Sequence, residues 1–368
     1  MNKLVLANLL HRPLRSIISV LAVAIEVIMI LSIVGIFMGM LNDQKQRTNG
    51  IGADLMMEPS GASIFNGISG APMSIKLAEP LRKLAHVKVV APAIVKFNTS
   101  GGDFGILDGI EFDSFDALKP FAFLAGGKFQ GPNDAIIDDV FARSKPGIKV
   151  GDPITIMGHT FRLCGIAEQG KGARKLIPLE TMGQLMGAEG KVSIFYIRTD
   201  DPANEQAVAE EIHNTPGLAD YPVVTMQEWT SQMTPEKLPG FNIALRTVTG
   251  IAVIIGFLVI FQSMYTAVLE RTREIGILKS MGASKLAIVT VVLRETALLA
   301  ISGVALGIAG TYGVRELLVH LFPTQHFEIT GQWIAQSTMI AFLGSLLGAL
   351  YPAWMAARKD PIDALAYE

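Results

Sequence analysis

The chain has a single cysteine, Cys164, in 368 residues, so no disulfide can form within it. A small, partly apolar residue of this kind is expected buried in a strand. Charge is scarce too. Only 17% of residues are charged, and 31 basic against 33 acidic side chains leave a net charge of −2, which excludes a polybasic nucleic-acid surface. No G-x-x-x-x-G-K-[ST] run occurs, so the chain carries no P-loop; Gly170-Lys171-Gly172 is too short and runs on into Ala173-Arg174. H-E-x-x-H and G-x-S-x-G are absent, and the six histidines are scattered. His320 and His326 fall in a turn where a solvated role is favoured over metal ligation. The acidic residues show no recognisable catalytic spacing. Together these absences argue for a chain that is not an enzyme and binds no metal or cofactor itself.

What is present is apolar sequence, 50% of the chain, with a mean hydropathy of +0.41. It is segregated into four blocks, 17–40, 241–269, 287–318 and 333–355. A run of about 20 apolar residues rises about 30 Å as a helix, the thickness of a bilayer core, so each block predicts a membrane span. Basic residues set the orientation. Lys3, Arg12 and Arg15 lie in the leader 1–16; Arg271, Arg273, Lys279 and Lys285 in the connector 270–286; Arg358 and Lys359 in the tail 356–368. The short loop 319–332 is without Lys or Arg from His320 to Gly331. Both termini and the connector are therefore expected on the cytoplasmic side. Ala22-Val23-Ala24 lies inside the first apolar run and not after it, so that run reads as a retained anchor.

Glu26, Arg294 and Glu295 are ionisable residues lying within the spans. Glu26 lies deep in the first, where a carboxylate needs a partner, is protonated, or serves substrate handling or coupling. Arg294 and Glu295 fall about two turns into the third, and snorkelling to the surface is the cheaper expectation for the pair than facing the bundle. The pairs Gly35/Gly39, Gly303/Gly307 and Gly344/Gly348 have the small-xxx-small spacing that permits close helix approach in a bundle or dimer.

Residues 41–240 lie between the first two spans, enough for a folded domain with its own core. Alternating or β-branched runs predict strands at 53–59, 87–97, 104–111, 135–138, 153–157, 160–166, 193–198 and 223–226, with a hairpin turn at Gly158-His159. Short helices are expected at 76–85, 139–145, 179–186 and 201–214. The whole reads as an α+β domain, in one lobe or two, inserted between helices of a four-span membrane protein. Phe65, Phe97, Phe121, Phe123 and Phe129 are expected in its core and not on a binding surface.

The connector carries Glu270-Arg-Thr-Arg-Glu-Ile-Gly-Ile-Leu-Lys-Ser-Met-Gly-Ala-Ser, a charged segment whose positions 272–280 predict one or two helical turns stopped by Gly282. Arg294-Glu295 follow, and the chain ends on Tyr351-Pro-Ala-Trp-Met-Ala-Ala-Arg-Lys-Asp-Pro-Ile-Asp-Ala-Leu-Ala-Tyr-Glu. With one span, a large inserted domain and then three spans, this chain resembles the FtsX-like, MacB-type permeases of ABC transporters, the type VII transmembrane subunits.

The resemblance implies an α-helical membrane protein of four spans with an extracytoplasmic α+β domain, a MacB-like periplasmic core, between the first two. It implies a permease of the bacterial inner membrane that works by mechanotransmission. Its connector would be a coupling helix docking on an ATPase through Glu270, Arg271, Arg273, Glu274, Gly276, Lys279 and Gly282. ATP and magnesium would belong to that ATPase. MacB-type members carry the ATPase ahead of the first span; here only the short basic leader stands there, so a separate ATPase subunit is expected. A second permease copy, a periplasmic adaptor and an outer-membrane channel are further implied partners, with export as the function. Extraction of lipoproteins or lipids, or regulation of a cell-wall enzyme without transport, are the alternatives.

Overall fold

The computed structural model describes residues 13–60, 73–98, 105–234, 237 and 239–359. Lys3, Arg12, Phe65, Pro235 and the tail beyond Lys359 lie outside the described residues, as does the side chain of Phe97.

In chain order the elements are α1 (Pro13–Asn49), β1 (Leu55–Met57), β2 (Met73–Ser74), α2 (Ala78–Leu81), β3 (Val87–Asn98), β4 (Gly105–Ile110), α3 (Phe112–Leu118), β5 (Phe123–Gly126), β6 (Asp134–Asp138) and α4 (Asp139–Ser144). There follow β7 (Pro153–Ile156), β8 (His159–Ala167), β9 (Lys175–Pro178), α5 (Leu179–Met186), β10 (Lys191–Val192), β11 (Ile194–Thr199), α6 (Glu205–Asn214), β12 (Val223–Thr225) and α7 (Met226–Gln232). The chain closes on α8 (Pro239–Glu270), α9 (Thr272–Ser280), α10 (Lys285–Leu321) and α11 (Gly331–Arg358). Two compact units result. An inserted unit holds Leu41–Lys237 with Phe322–Thr324, and a membrane unit holds the rest.

In the inserted unit a mixed sheet runs β12-β1-β11-β3-β4-β9-β6-β8-β5, with β7 hairpinned onto β8. Alternation along its strands builds a core on each face. Leu55, Met57, Ile94, Leu107, Phe195 and Ile197 pack on one side; Met56, Ala91, Ala93, Ile110, Tyr196 and Trp229 pack on the other. Cys164 of β8 is buried in the second core and its thiol donates to the Ala135 carbonyl at 3.3 Å. Burial pushes that thiol up to about 11, so it stays protonated. The β7–β8 turn corrects the sequence reading by one residue: Ile156 pairs with His159, and the turn is Met157-Gly158 at φ 52° and 80°. A two-residue type I′ turn needs positive φ at both central positions, and Met157 is drawn into that region by the register of the flanking strands.

The second core also carries acid. Register places Glu58, Tyr196 and Asp108 on one sheet face, because Met56 pairs with Tyr196, Tyr196 with Ala91, and Val95 with Asp108. Glu58 and Asp108 are 4% and 3% exposed, and Glu58 Oε1 and Asp108 Oδ1 have no hydrogen-bond partner among the described residues. Burial pushes Glu58 up to about 7. It pushes Asp108 to about 6, against the pull of the Ala173 N–H and the Arg47 charge. Tyr196 is pushed well up by burial and then by these two carboxylates. Packed against this core, Phe112, Phe121, Phe123 and Phe129 form a half-buried ring cluster, with the Lys171 ammonium 3.9 Å from the Phe121 ring centre.

In the membrane unit α1, α8, α10 and α11 are each long and apolar enough to cross a bilayer. Each outlasts its apolar block, α1 by nine residues at its C-terminal end. Packing rests on absent side chains. A Cβ at Gly303 would lie 2.6 Å from Val23 Cβ, and one at Gly307 would lie 2.7 Å from Val27 Cβ and 2.9 Å from the Ala24 carbonyl. This pair therefore seats α10 on α1. Gly307→Ala is accordingly expected to destabilise the bundle by about 1–3 kcal/mol. Gly313→Ala, with open space at its Cβ, should be neutral or slightly stabilising, as detergent-phase thermal unfolding would show. Gly35 and Gly39 behave otherwise. Their Cβ positions are filled by Phe327 and the His326 carbonyl, and Glu328 N–H donates to the Gly35 carbonyl at 2.9 Å. The spacing here serves an extended loop, because a glycine step admits any close backbone.

Candidate functional site

The connector folds because its two faces differ. Thr272, Ile275, Gly276 and Lys279 recur at helical spacing and turn inward. Ile275 joins Val268, Ile288 and Ala356 in a small core that fixes α9 against α8, α10 and α11. Thr272 donates to the Leu269 carbonyl at 2.8 Å. Lys279 donates to the carbonyls of Ala357, at 3.0 Å, and Lys359, so a cation sits where α11 leaves orphan acceptors and the negative end of its dipole. Gly282 N–H donates to the Lys279 carbonyl and Ala283 N–H to that of Leu278, both at 3.0 Å. With Gly282 at φ +94° this is a Schellman stop, reached where the sequence places it.

A charged cluster lies beside the connector. Glu295 of α10 is buried, its side chain 5% exposed. Its carboxylate accepts from Arg271 at 3.0 Å and from Arg15 of α1 at 3.5 Å. Arg15 also reaches Glu270 at 3.3 Å. Three helices and the start of the connector are thereby held by one set of charges. This corrects the expectation that the pair at 294–295 snorkels. Arg294 is exposed, but Glu295 faces inward, because a short carboxylate cannot reach out past the bundle and two guanidiniums meet it there. Nearby, Ser19 and Ser263 share a 2.6 Å hydrogen bond between α1 and α8.

The site residues named from sequence thus separate. Arg273, Glu274 and Gly282 are exposed, and Glu270 is exposed as well, while Arg271, Gly276 and Lys279 are turned inward. The outward face adds two residues that sequence reasoning did not single out: Ile277, 44% exposed, and Met281, 74% exposed. They stand four and eight residues after Arg273, so the three form one stripe, with Glu274 beside it. That i, i+4, i+8 spacing was legible; the exposure of its apolar members was not. Glu26 is not brought into this cluster. It is 4% exposed and packs in the slot left by Gly256, where a Cβ would lie 1.9 Å from its Oε2. Its Oε1 has no hydrogen-bond partner among the described residues.

Residues 16–215 match the MacB-like periplasmic core domain, and residues 246–361 match the FtsX-like permease C-terminal domain. The ABC transporter permease YknZ of Bacillus subtilis is 24% identical over all of this chain and 98% of its own length. A macrolide export ATP-binding/permease protein MacB of a Shewanella species is 25% identical over 99% of this chain, which spans 60% of that relative's length. Among solved structures, the periplasmic region of MacB from Actinobacillus actinomycetemcomitans aligns with 50% of this chain and 94% of its own, at 15% identity and a TM-score of 0.38. One model covers more than half of the chain and the other covers its C-terminal helices, so this chain belongs to the MacB-type, FtsX-like family of ABC transporter permeases.

Proposed function

We propose that this permease couples ATP hydrolysis by a separate cytoplasmic ATPase to movement of its inserted domain, and that this movement drives export with a periplasmic adaptor. The observation that carries the reading is the outward stripe of α9. Arg273 and Glu274 flank the exposed Ile277 and Met281 on a helix whose opposite face is locked by Ile275, Gly276 and Lys279. An exposed apolar pair framed by charges, on a rigid helix, suits a protein contact better than water. The basic residues gathered at this end, Arg15, Arg271, Arg273, Lys279, Lys285 and Arg358, support a cytoplasmic connector in an inner membrane. ATP and magnesium stay on the partner. Two permease copies would pair with two ATPases, and export is favoured by the macrolide-export name of the MacB relatives.

The test is charge reversal on that stripe. Arg273→Glu and Glu274→Lys should cut permease-dependent stimulation of ATP turnover about tenfold, equal to about 1.4 kcal/mol of lost coupling. Membrane insertion and unfolding temperature should be unchanged, because neither side chain holds the fold. Unaltered turnover and export in both variants would sink the docking assignment.

A further inference from the structure

The glycine run Gly170-Lys171-Gly172, too short to hold a phosphate, lies instead against the C-terminal turns of α1. A Cβ at Gly50 would sit 1.4 Å from the Gly170 carbonyl oxygen. Gly172 N–H donates to the Arg47 carbonyl at 3.0 Å, and Arg47 Nη1 returns a bond to the Gly172 carbonyl at 3.3 Å. The approach needs a glycine at position 50, while Gly170 and Gly172 supply the positive φ of 106° and 69° that turns the chain there. Two residues further on, Arg174 reaches three separate segments. Its Nη1 meets Asp138 of β6 at 2.8 Å; its Nη2 meets Asp43 of α1 at 3.0 Å and the Thr324 carbonyl at 3.2 Å. Asp43 also accepts from Arg47 at 3.0 Å. The four side chains are 8–11% exposed, two guanidiniums against two carboxylates.

We infer that Arg174 is a positioning residue, a clasp that makes the last turns of α1 and the Phe322–Thr324 turn move as one piece with β6 and β9. Neither segment contributes a strand to the sheet, so the sheet's own hydrogen bonds do not hold them. Both continue along the chain into the membrane unit, α1 backwards from Leu41 and the turn in both directions. A planar fork is needed, because its two nitrogens serve acceptors on different segments; a lysine ammonium reaches only one side. The inference rests on the coupling reading above, in which helix movement must arrive at the inserted domain, and it names where it arrives.

Hydrogen exchange on the full chain in lipid nanodiscs tests the clasp. Arg174→Gln should speed exchange about tenfold in residues 41–49 and 322–324 while β3 and β11 stay as in wild type. Arg174→Lys should act in the same direction, and Arg143→Gln, an exposed ion pair on α4, should change nothing. Unchanged rates at 322–324, or acceleration spread evenly over the sheet, would overturn the assignment. A second arm uses the chain recovered from its host membranes with its ATPase. ATP with vanadate should alter exchange in β6–β9 of the wild type, and Arg174→Gln should abolish that difference while ATP turnover, measured without vanadate, is retained. A nucleotide response that survives in Arg174→Gln overturns the transmission role. Failure of the wild-type chain to bring down any ATPase defeats the coupling reading instead, and the exchange comparison then decides the clasp alone.

Discussion

Glu295→Ala is expected to destabilise the membrane unit by about 3–5 kcal/mol, against about 0.5 kcal/mol or less for Arg294→Ala one position earlier. Burial decides between the two magnitudes. An exposed ion pair contributes about 1 kcal/mol at most, because water screens it. Glu295 is 5% exposed, and its partners Arg271 and Arg15 are 12% and 16% exposed, so deleting the carboxylate takes a shared acceptor from two poorly hydrated cations, with Arg15 keeping Glu270. Their repulsion should also loosen the start of α9, because Arg271 is its N-terminal neighbour. A double-mutant cycle with Arg271→Ala should show coupling of about 1–3 kcal/mol, since the two side chains meet directly at 3.0 Å away from water. Denaturation in mixed micelles, followed by helical circular dichroism, measures the wild type and the four variants. Equal stability of Glu295→Ala and Arg294→Ala would show that the cluster contributes nothing to the bundle.

That contrast also marks how far sequence reasoning reaches. Four spans were legible because a bilayer sets a length that few soluble helices need, and α9 was legible from its period and its Gly282 stop. The inward turn of Glu295 was not, because its partners stand at positions 15 and 271 and no local pattern joins them. The clasp is the same case, assembled from positions 43, 138, 174 and 324. Gly35 and Gly39 show the converse, a correct sense of close approach with the wrong partner, since spacing reports on one helix and says nothing of what lies against it. Within the inserted unit, β9 escaped notice because Lys175-Leu-Ile-Pro178 is four residues long and its pattern is broken by proline. The missed α7 did carry a signal: Thr225-Met-Gln-Glu228 is a capping box, with Glu228 N–H donating to Thr225 Oγ1 at 3.0 Å and the Glu228 carboxylate accepting from Thr225 N–H at 3.1 Å.

The inserted unit should lose stability as pH rises from 5 to 7.5, the reverse of ordinary carboxylate behaviour. Glu58 and Asp108 bind their protons more tightly folded, at about 7 and about 6, than unfolded near 4.5 and 3.8. Between those values the folded state holds more protons, so unfolding free energy falls with pH. The stabilisation is whole below about pH 4 and gone once pH passes the folded values. At 1.36 kcal/mol per pKa unit each acid contributes at most about 3 kcal/mol. A domain of this size should then melt about 10 °C lower at pH 7.5 than at pH 5. Groups shifted the other way act outside this window. Asp134 and Asp200 are held below the usual carboxylate range by Arg162 and by Asn204 and His86, so their contribution is lost only in stronger acid. Lys171, lowered to about 8 by burial, favours the folded state only as pH rises past that value. Trp229, buried on the same sheet face, reports the transition once Trp333 and Trp354, the other two tryptophans, are replaced by phenylalanine. Glu58→Gln with Asp108→Asn should flatten the pH profile and raise the melting temperature at pH 7.5, because the amides keep the shape without the charge that burial opposes. A profile unchanged by the double substitution would mean that neither acid binds its proton more tightly in the folded domain than in the unfolded chain.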